Sequence, residues 1–204
     1  MHYIGFIDPE DMNVVNGKRK FTSLVGYSSS KLAQVMFSSV FQKRLPAESG
    51  INVVCVSPGI VHTNVARDLS KIVQAAYRLV PYFIFSPQEG MLFILLLHIK
   101  IENDAGYLKL MSTLTITGSR STLFAATDPQ ILEYCELLKA DDWPTCAFIS
   151  QDCRPSNPSE EAHNIGTSVK VWEKTLEMTG LPLDAVERLI EGEEVICHYG
   201  SKKD

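Results

Sequence analysis

Tyr27-Ser28-Ser29-Ser30-Lys31-Leu32-Ala33-Gln34 opens the stretch that decides the fold, which continues to Arg44 and, past Pro46 and Gly50, into Ile51-Asn52-Val53-Val54-Cys55-Val56-Ser57-Pro58-Gly59. Leu32, Val35, Met36, Ser39, Val40 and Lys43 recur at spacings of three and four, so Tyr27 to Arg44 reads as a helix with an apolar stripe, ended before Pro46 and Gly50. Ile51 to Val56 is a nearly continuous apolar and β-branched run bounded by Gly50 and Pro58-Gly59, the pattern of a strand buried on both faces of a parallel sheet. A helix feeding a buried strand is half of a βαβ unit.

Outward from that core, Met1 to Phe21 is polar and without period, reading as loop with a turn at Asp8-Pro9-Glu10-Asp11. On the other side, Asn64 to Val80 carries amphipathic helical material and a further helix begins at Pro87. Pro129 to Lys139 reads as a short helix with Ile131, Leu132, Cys135 and Leu138 inward, and Ala147 to Ser150 as a last strand. Ser159-Glu160-Glu161 marks a helix start with acids at the positive end of the dipole, leading through Val169, Val171, Trp172, Leu176 and Met178 to the stop Gly180-Leu181-Pro182. Asp184 is placed to cap a final helix, Ala185 to Ile190.

The 204 residues, 45% hydrophobic, suffice for one substantial core, and one domain is the expectation. A net charge of -5 argues against nucleic-acid binding, since Lys18-Arg19-Lys20 and Lys202-Lys203 are short solvated clusters and not a basic stripe. Cys55, Cys135, Cys146, Cys153 and Cys197 form an odd, irregular set with no signal peptide ahead of them, which favours free thiols in the cytosol or on the cytosolic face of an organelle. The longest apolar stretch, Met91 to Leu97, stops at His98 and is separated from Val80 to Phe85 by Ser86-Pro87-Gln88-Glu89-Gly90, well short of the about 20 residues a spanning helix needs.

Chemistry concentrates at Tyr27 and Lys31. Four residues apart on a helix, they share a face, and a cation beside a phenol, whose ordinary pKa is about 10, favours the phenolate that can exchange a proton with a carbonyl oxygen. Taken alone, the pair is also what an amphipathic surface helix produces by accident; the neighbouring segments decide between the two. Zinc is a poor alternative, because Cys146, Cys153, His163 and Cys197-His198 lack the two-to-four-residue spacing of a structural site, so no metal is expected. Ser57 stands in Val-Ser-Pro-Gly and not in Gly-x-Ser-x-Gly, which argues against a hydrolase nucleophile.

Tyr27-Ser28-Ser29-Ser30-Lys31, with the strand to Ser57-Pro58-Gly59-Ile60-Val61-His62-Thr63 following in register, resembles the tyrosine-to-lysine signature of the short-chain dehydrogenase/reductases. The likeness extends through Tyr82 to Gly90, Leu123 to Pro129, Cys153-Arg154-Pro155 and Leu181 to Glu187, and is greatest to the plant Forever Young type of oxidoreductase within the retinol-dehydrogenase-like branch. It implies a helix-rich α/β fold, the carboxyl half of a truncated doubly wound, Rossmann-like parallel sheet with about two strands. It implies NAD or NADP as cofactor and a small carbonyl or alcohol as substrate, apolar in character. By the same resemblance, Tyr27 donates the proton to the carbonyl, and Lys31 holds the nicotinamide ribose and lowers the tyrosine pKa. Pro58, Gly59, the Val61 backbone and the Thr63 hydroxyl then cradle the carboxamide, where a Pro-Gly turn at a strand's carboxyl end admits close approach.

Two departures qualify those expectations. Only 26 residues precede Tyr27, with Gly5, Gly17 and Gly26 isolated, whereas one βαβ unit takes about 30, so the phosphate-binding glycine turn is not among these residues. The family's catalytic serine has no counterpart either: Ser23 is too near Tyr27, and Val14 stands roughly where a short loop would put it. Residues 91–119, from Met91-Leu92-Phe93-Ile94-Leu95-Leu96-Leu97 through Lys100 to Ser119, read as an insertion. An inactive chain on its own is therefore expected, with a rival in which the helices pair non-enzymatically with a second copy or a longer relative.

Overall fold

The computed structural model describes residues 2–16, 20–58, 71, 74, 119–140 and 146–197. The chain divides into two compact units: Met1–Cys55, Asp128–Ile149 and Pro155–Asp204 form the first, Val56–Thr127 and Ser150–Arg154 the second.

Helix α1 spans Ser23–Arg44, beginning one turn earlier than the apolar stripe indicates. Thr22 supplies the start: its backbone is extended and its hydroxyl accepts the Val25 N–H at 3.2 Å, satisfying one of the helix's orphan donors. Lys43 and Arg44 stand at the negative end of the dipole, and Leu45 leaves helical geometry ahead of Pro46. Leu32, Val35, Met36 and Val40 are buried, as their spacing requires. Leu32, Val35 and Met36 pack with Ile7, Phe148, Ala162 and Val171, while Val40 joins Trp172 and Leu176.

Two buried polar side chains on α1 set the strands. Gln42 accepts the Val53 N–H at 2.6 Å and donates to the Ile51 carbonyl at 3.5 Å. Those backbone groups are thereby satisfied by a side chain and not by a ladder. Strand β1 is accordingly Val54–Val56, three residues shorter than the apolar run, and its residues are half-buried, which corrects the reading of a strand covered on both faces. Ser39 donates to the Val35 carbonyl at 3.0 Å and accepts the buried Cys146 N–H at 3.1 Å, just before strand β2, Ala147–Ile149. The two strands pair in parallel, and all three residues of β2 are buried. Replacing Ser39 by Ala strands the Cys146 N–H in the core; a loss of about 1–3 kcal/mol in urea unfolding is expected, and a loss near zero would mean the N–H finds water.

Helix α2, Gln130–Lys139, buries Ile131 and Cys135 one turn apart. Leu138 is half-buried and Leu132 is 60% exposed, correcting its inward assignment: a residue adjacent to Ile131 is rotated about 100° away, and the buried stripe here is too narrow to include both. Helix α3, Ile165–Thr179, starts later than Ser159 indicates, because a 3₁₀ turn, Glu160–His163, comes first and Asn164, in extended geometry, accepts the Thr167 N–H at 3.0 Å. Gly180, at φ +70°, ends α3 in the left-handed region where glycine alone carries no Cβ penalty. Helix α4 is Ala185–Ile190; Asp184 precedes it but makes no side-chain cap, a further correction. The Asp8-to-Asp11 turn closes with an Asp11 N–H to Asp8 carbonyl bond of 3.0 Å.

In the second unit, residues 119–127 are helical, as are Lys71 and Gln74. The buried Ser121 hydroxyl donates to the Ser57 carbonyl at 3.3 Å, tying down the residues that follow β1. The helix expected from Pro87, most of that expected over Asn64 to Val80, and residues 91–118 of the inferred insertion lie outside the described residues. No helix among the described residues is long and apolar enough to cross a membrane.

Candidate active site

The three serines between Tyr27 and Lys31 do three different things, and together they place the site. Ser28 is fully buried against the amino-terminal segment. A Cβ on Gly5 would lie 2.6 Å from the Ser28 carbonyl oxygen, so only glycine lets that segment run so close to α1. Ser29 accepts the Phe6 N–H at 3.1 Å, fixing the same segment one residue on. Ser30 donates to the Tyr27 carbonyl at 2.7 Å, folding back on its own helix. Further back, His2 is buried with its ring 4.9 Å from that of Phe148, and burial holds its pKa below the ordinary value.

With the segment held there, an open cavity of about 950 Å³ forms beside the first turns of α1, lined by Phe6, Met12, Phe21, Tyr27, Ser30 and Ala33 among others. Tyr27 is 42% exposed at its edge. The Lys31 ammonium lies over the tyrosine ring, 5.5 Å from its centroid, and donates to Gln34 Oε1 at 3.2 Å. The two side chains do share a face, with the cation on the ring's π-face. Gln34, three residues along, is a partner that spacing alone does not single out. Val14, where a serine could have stood, has a left-handed backbone (φ +52°) and offers no hydroxyl. Asp11 braces that loop through the Val15 N–H at 2.8 Å.

Pro58 is exposed in the second unit; Gly59, Val61 and Thr63 lie outside the described residues. The fit to a nicotinamide dinucleotide is thus partial. An ammonium has three donors, of which Gln34 takes one, leaving Lys31 able to bond ribose hydroxyls beside an open cavity. For the pyrophosphate, the 204 residues hold no glycine-rich turn. Among the described residues, no three His, Cys, Asp or Glu side chains gather as metal ligands would.

Comparison with known proteins agrees with the helix-and-strand unit around Tyr27. The sequence profile of the short chain dehydrogenase family matches residues 11–73. Across all 204 residues the chain is 60% identical to the Dehydrogenase/reductase SDR family member FEY of Arabidopsis thaliana, spanning 47% of that relative's length. The chain belongs to the short-chain dehydrogenase/reductase family, with the Rossmann-like α/β fold of that family. It is also 34% identical over 89 residues, 44% of this chain and 27% of the relative, to Retinol dehydrogenase 11 of Mus musculus. To Polyprenol dehydrogenase of the same species it is 30% identical over 91 residues, 44% of this chain and 26% of the relative. The chain therefore spans less than half the length of these relatives. No solved structure matches it.

Proposed function

We propose that residues 1–204 carry the proton-transfer side of an NAD- or NADP-dependent oxidoreductase that interconverts a carbonyl and an alcohol on an apolar substrate. The observation that carries the reading is Tyr27 and Lys31 on one face of α1, at the edge of a cavity lined by Phe6, Met12, Phe21 and Ala33. A bound nicotinamide would supply or take the hydride. Tyr27 Oη gives its proton to the carbonyl oxygen as that oxygen gains charge, and takes it back in the reverse direction. Lys31, freed from Gln34 in part, holds the ribose hydroxyls and keeps positive charge beside the phenol. Phe6, Met12 and Phe21 offer apolar surface that favours an apolar carbonyl compound over a sugar-like one.

The pyrophosphate and adenine contacts need a segment outside these 204 residues, so the polypeptide 1–204 by itself binds either nicotinamide cofactor weakly, with a Kd of about a millimolar or worse. Calorimetric titration checks this, and micromolar affinity would show that these residues suffice without a glycine-rich turn. A second reading, non-enzymatic pairing with a longer relative, is favoured by the exposure of Tyr3, Ile4, Phe21 and Leu24, each more than half exposed, on the segment and helix start around the cavity. Joining residues 1–204 to the segment of a relative that bears a glycine-rich turn decides between the two. Oxidation of reduced nicotinamide by an apolar aldehyde supports the enzyme; a folded, cofactor-binding fusion with no turnover of any carbonyl supports the pairing protein.

A further inference from the structure

Cys55 and Cys146 stand 91 residues apart in sequence, yet the Cys146 thiol donates to Cys55 Sγ at 3.3 Å. The contact follows from the sheet: Cys55 is the middle residue of β1, Cys146 immediately precedes β2, and the two strands are neighbours. Adjacent strands lie about 4.8 Å apart, within the range of Cα separations that a disulfide spans. Both sulfurs are free thiols in this structure. Bonding them requires the sulfurs to approach by only about 1.3 Å, to the usual length of about 2.05 Å.

We propose that Cys55 and Cys146 form a redox-active dithiol that a peroxide oxidises to an intramolecular disulfide, tying β1 to the start of β2. The two sulfurs have unlike surroundings, and that assigns their roles. Cys55 is partly exposed and accepts hydrogen bonds from Cys146 and from Ser38, which hold its thiol at about 7 against an ordinary 9 despite the opposing effect of burial. Cys146 is 1% exposed, has the Val35 carbonyl at 3.8 Å as the alternative acceptor for its one proton, and has its pKa raised by the bond it gives Cys55 and by burial. Cys55 is thus the nucleophile. Its thiolate attacks one oxygen of the hydroperoxide, the O–O bond breaks, and the departing oxygen takes a proton to leave as water or an alcohol, giving Cys55–SOH. Cys146 Sγ then attacks Cys55 Sγ, the S–O bond breaks, and the Cys146 proton leaves with the hydroxide as water. Two thiols are oxidised by two electrons in all, and the peroxide is reduced.

Core packing of two small apolar thiols would produce the same contact without the chemistry. The full 204-residue chain, reduced and then exposed to a small excess of hydrogen peroxide, separates the two. Free thiols are blocked with N-ethylmaleimide, and the digest is read by mass spectrometry without reductant. The expected result is loss of two of five thiols and a Cys55–Cys146 cross-linked peptide that dithiothreitol reverses. Cys146→Ser should leave Cys55 as a sulfenic acid trapped by dimedone, and Cys55→Ser, at the more exposed site, should slow oxidation of Cys146 at least about tenfold. In the reduced chain, alkylation of Cys55 should reach half its limiting rate near pH 7, while Cys135, whose thiol burial pushes up, stays slow. Sulfenic acid persisting on Cys55 with Cys146 intact, oxidation of all five cysteines at similar rates, or a cross-link between other cysteines would each overturn the proposal.

Discussion

Tyr27→Phe, made in residues 1–204 joined to a segment that supplies the glycine-rich turn, is expected to lower kcat for carbonyl reduction by about a hundredfold or more. The substitution keeps the ring, its place at the edge of the cavity and the face it offers the Lys31 ammonium 5.5 Å from its centroid; it removes only the hydroxyl. The loss should therefore fall on kcat, with KM for cofactor little changed, because a proton donor acts mainly in the transition state. Lys31→Met tests the partner: it removes the charge and the ribose donors together, so both kcat and cofactor KM should suffer. Steady-state kinetics on the two variants distinguish these signatures. An active fusion indifferent to Tyr27→Phe would sink the assigned chemistry, since no hydroxyl stands at Val14 to replace the phenol.

The sequence made the helix and the strands around this tyrosine legible because their periods are strong and their contacts local. Leu32, Val35, Met36 and Val40 point inward wherever α1 packs, and Gly180 stops α3 whatever lies beyond it. What was not legible depends on long-range placement. An apolar run from Ile51 says strand, but Gln42, nine residues earlier, takes the backbone bonds of Ile51 and Val53 and delays the ladder to Val54. Leu132 has the hydrophobicity of a core residue and faces solvent, because only the neighbouring direction on α2 meets the fold. At the site, the spacing of Tyr27 and Lys31 gave their shared face but not the Gln34 bond or the ring-face position of the ammonium. Gly5 stands isolated in the sequence, and its role follows only from the approach of α1, which leaves no room for a Cβ. Cys55 and Cys146 likewise have no local spacing that reveals them as neighbours; only the order of strands in the sheet does.

Trp172 gives the largest expected effect on stability. Its side chain is 1% exposed, stacked on Phe37 with ring centroids 4.5 Å apart and on Phe41 at 6.2 Å, and the Arg44 guanidinium lies 5.4 Å from its ring. These contacts join α1 to α3, and Arg44 also reaches Glu187 on α4 at 2.6 Å. Trp172→Ala empties that junction at a cost of about 3–5 kcal/mol, the range for large-to-small changes of a buried aromatic. Small domains are stable by about 5–15 kcal/mol, so the variant should lose a large share of its stability. Trp172→Phe should behave differently. Among the described residues the buried indole N–H has no hydrogen-bond partner, so removing it discards a desolvated donor, and the phenyl ring keeps much of the stacking area. A cost of about 1.5 kcal/mol or less is expected for Phe, and the gap between the two variants in urea midpoints isolates packing from polarity. If Trp172→Ala unfolds at nearly the parent's midpoint, the α1–α3 junction does not hold the fold together, and the position of Tyr27 must be secured by the amino-terminal segment at Gly5 and Ser29 instead.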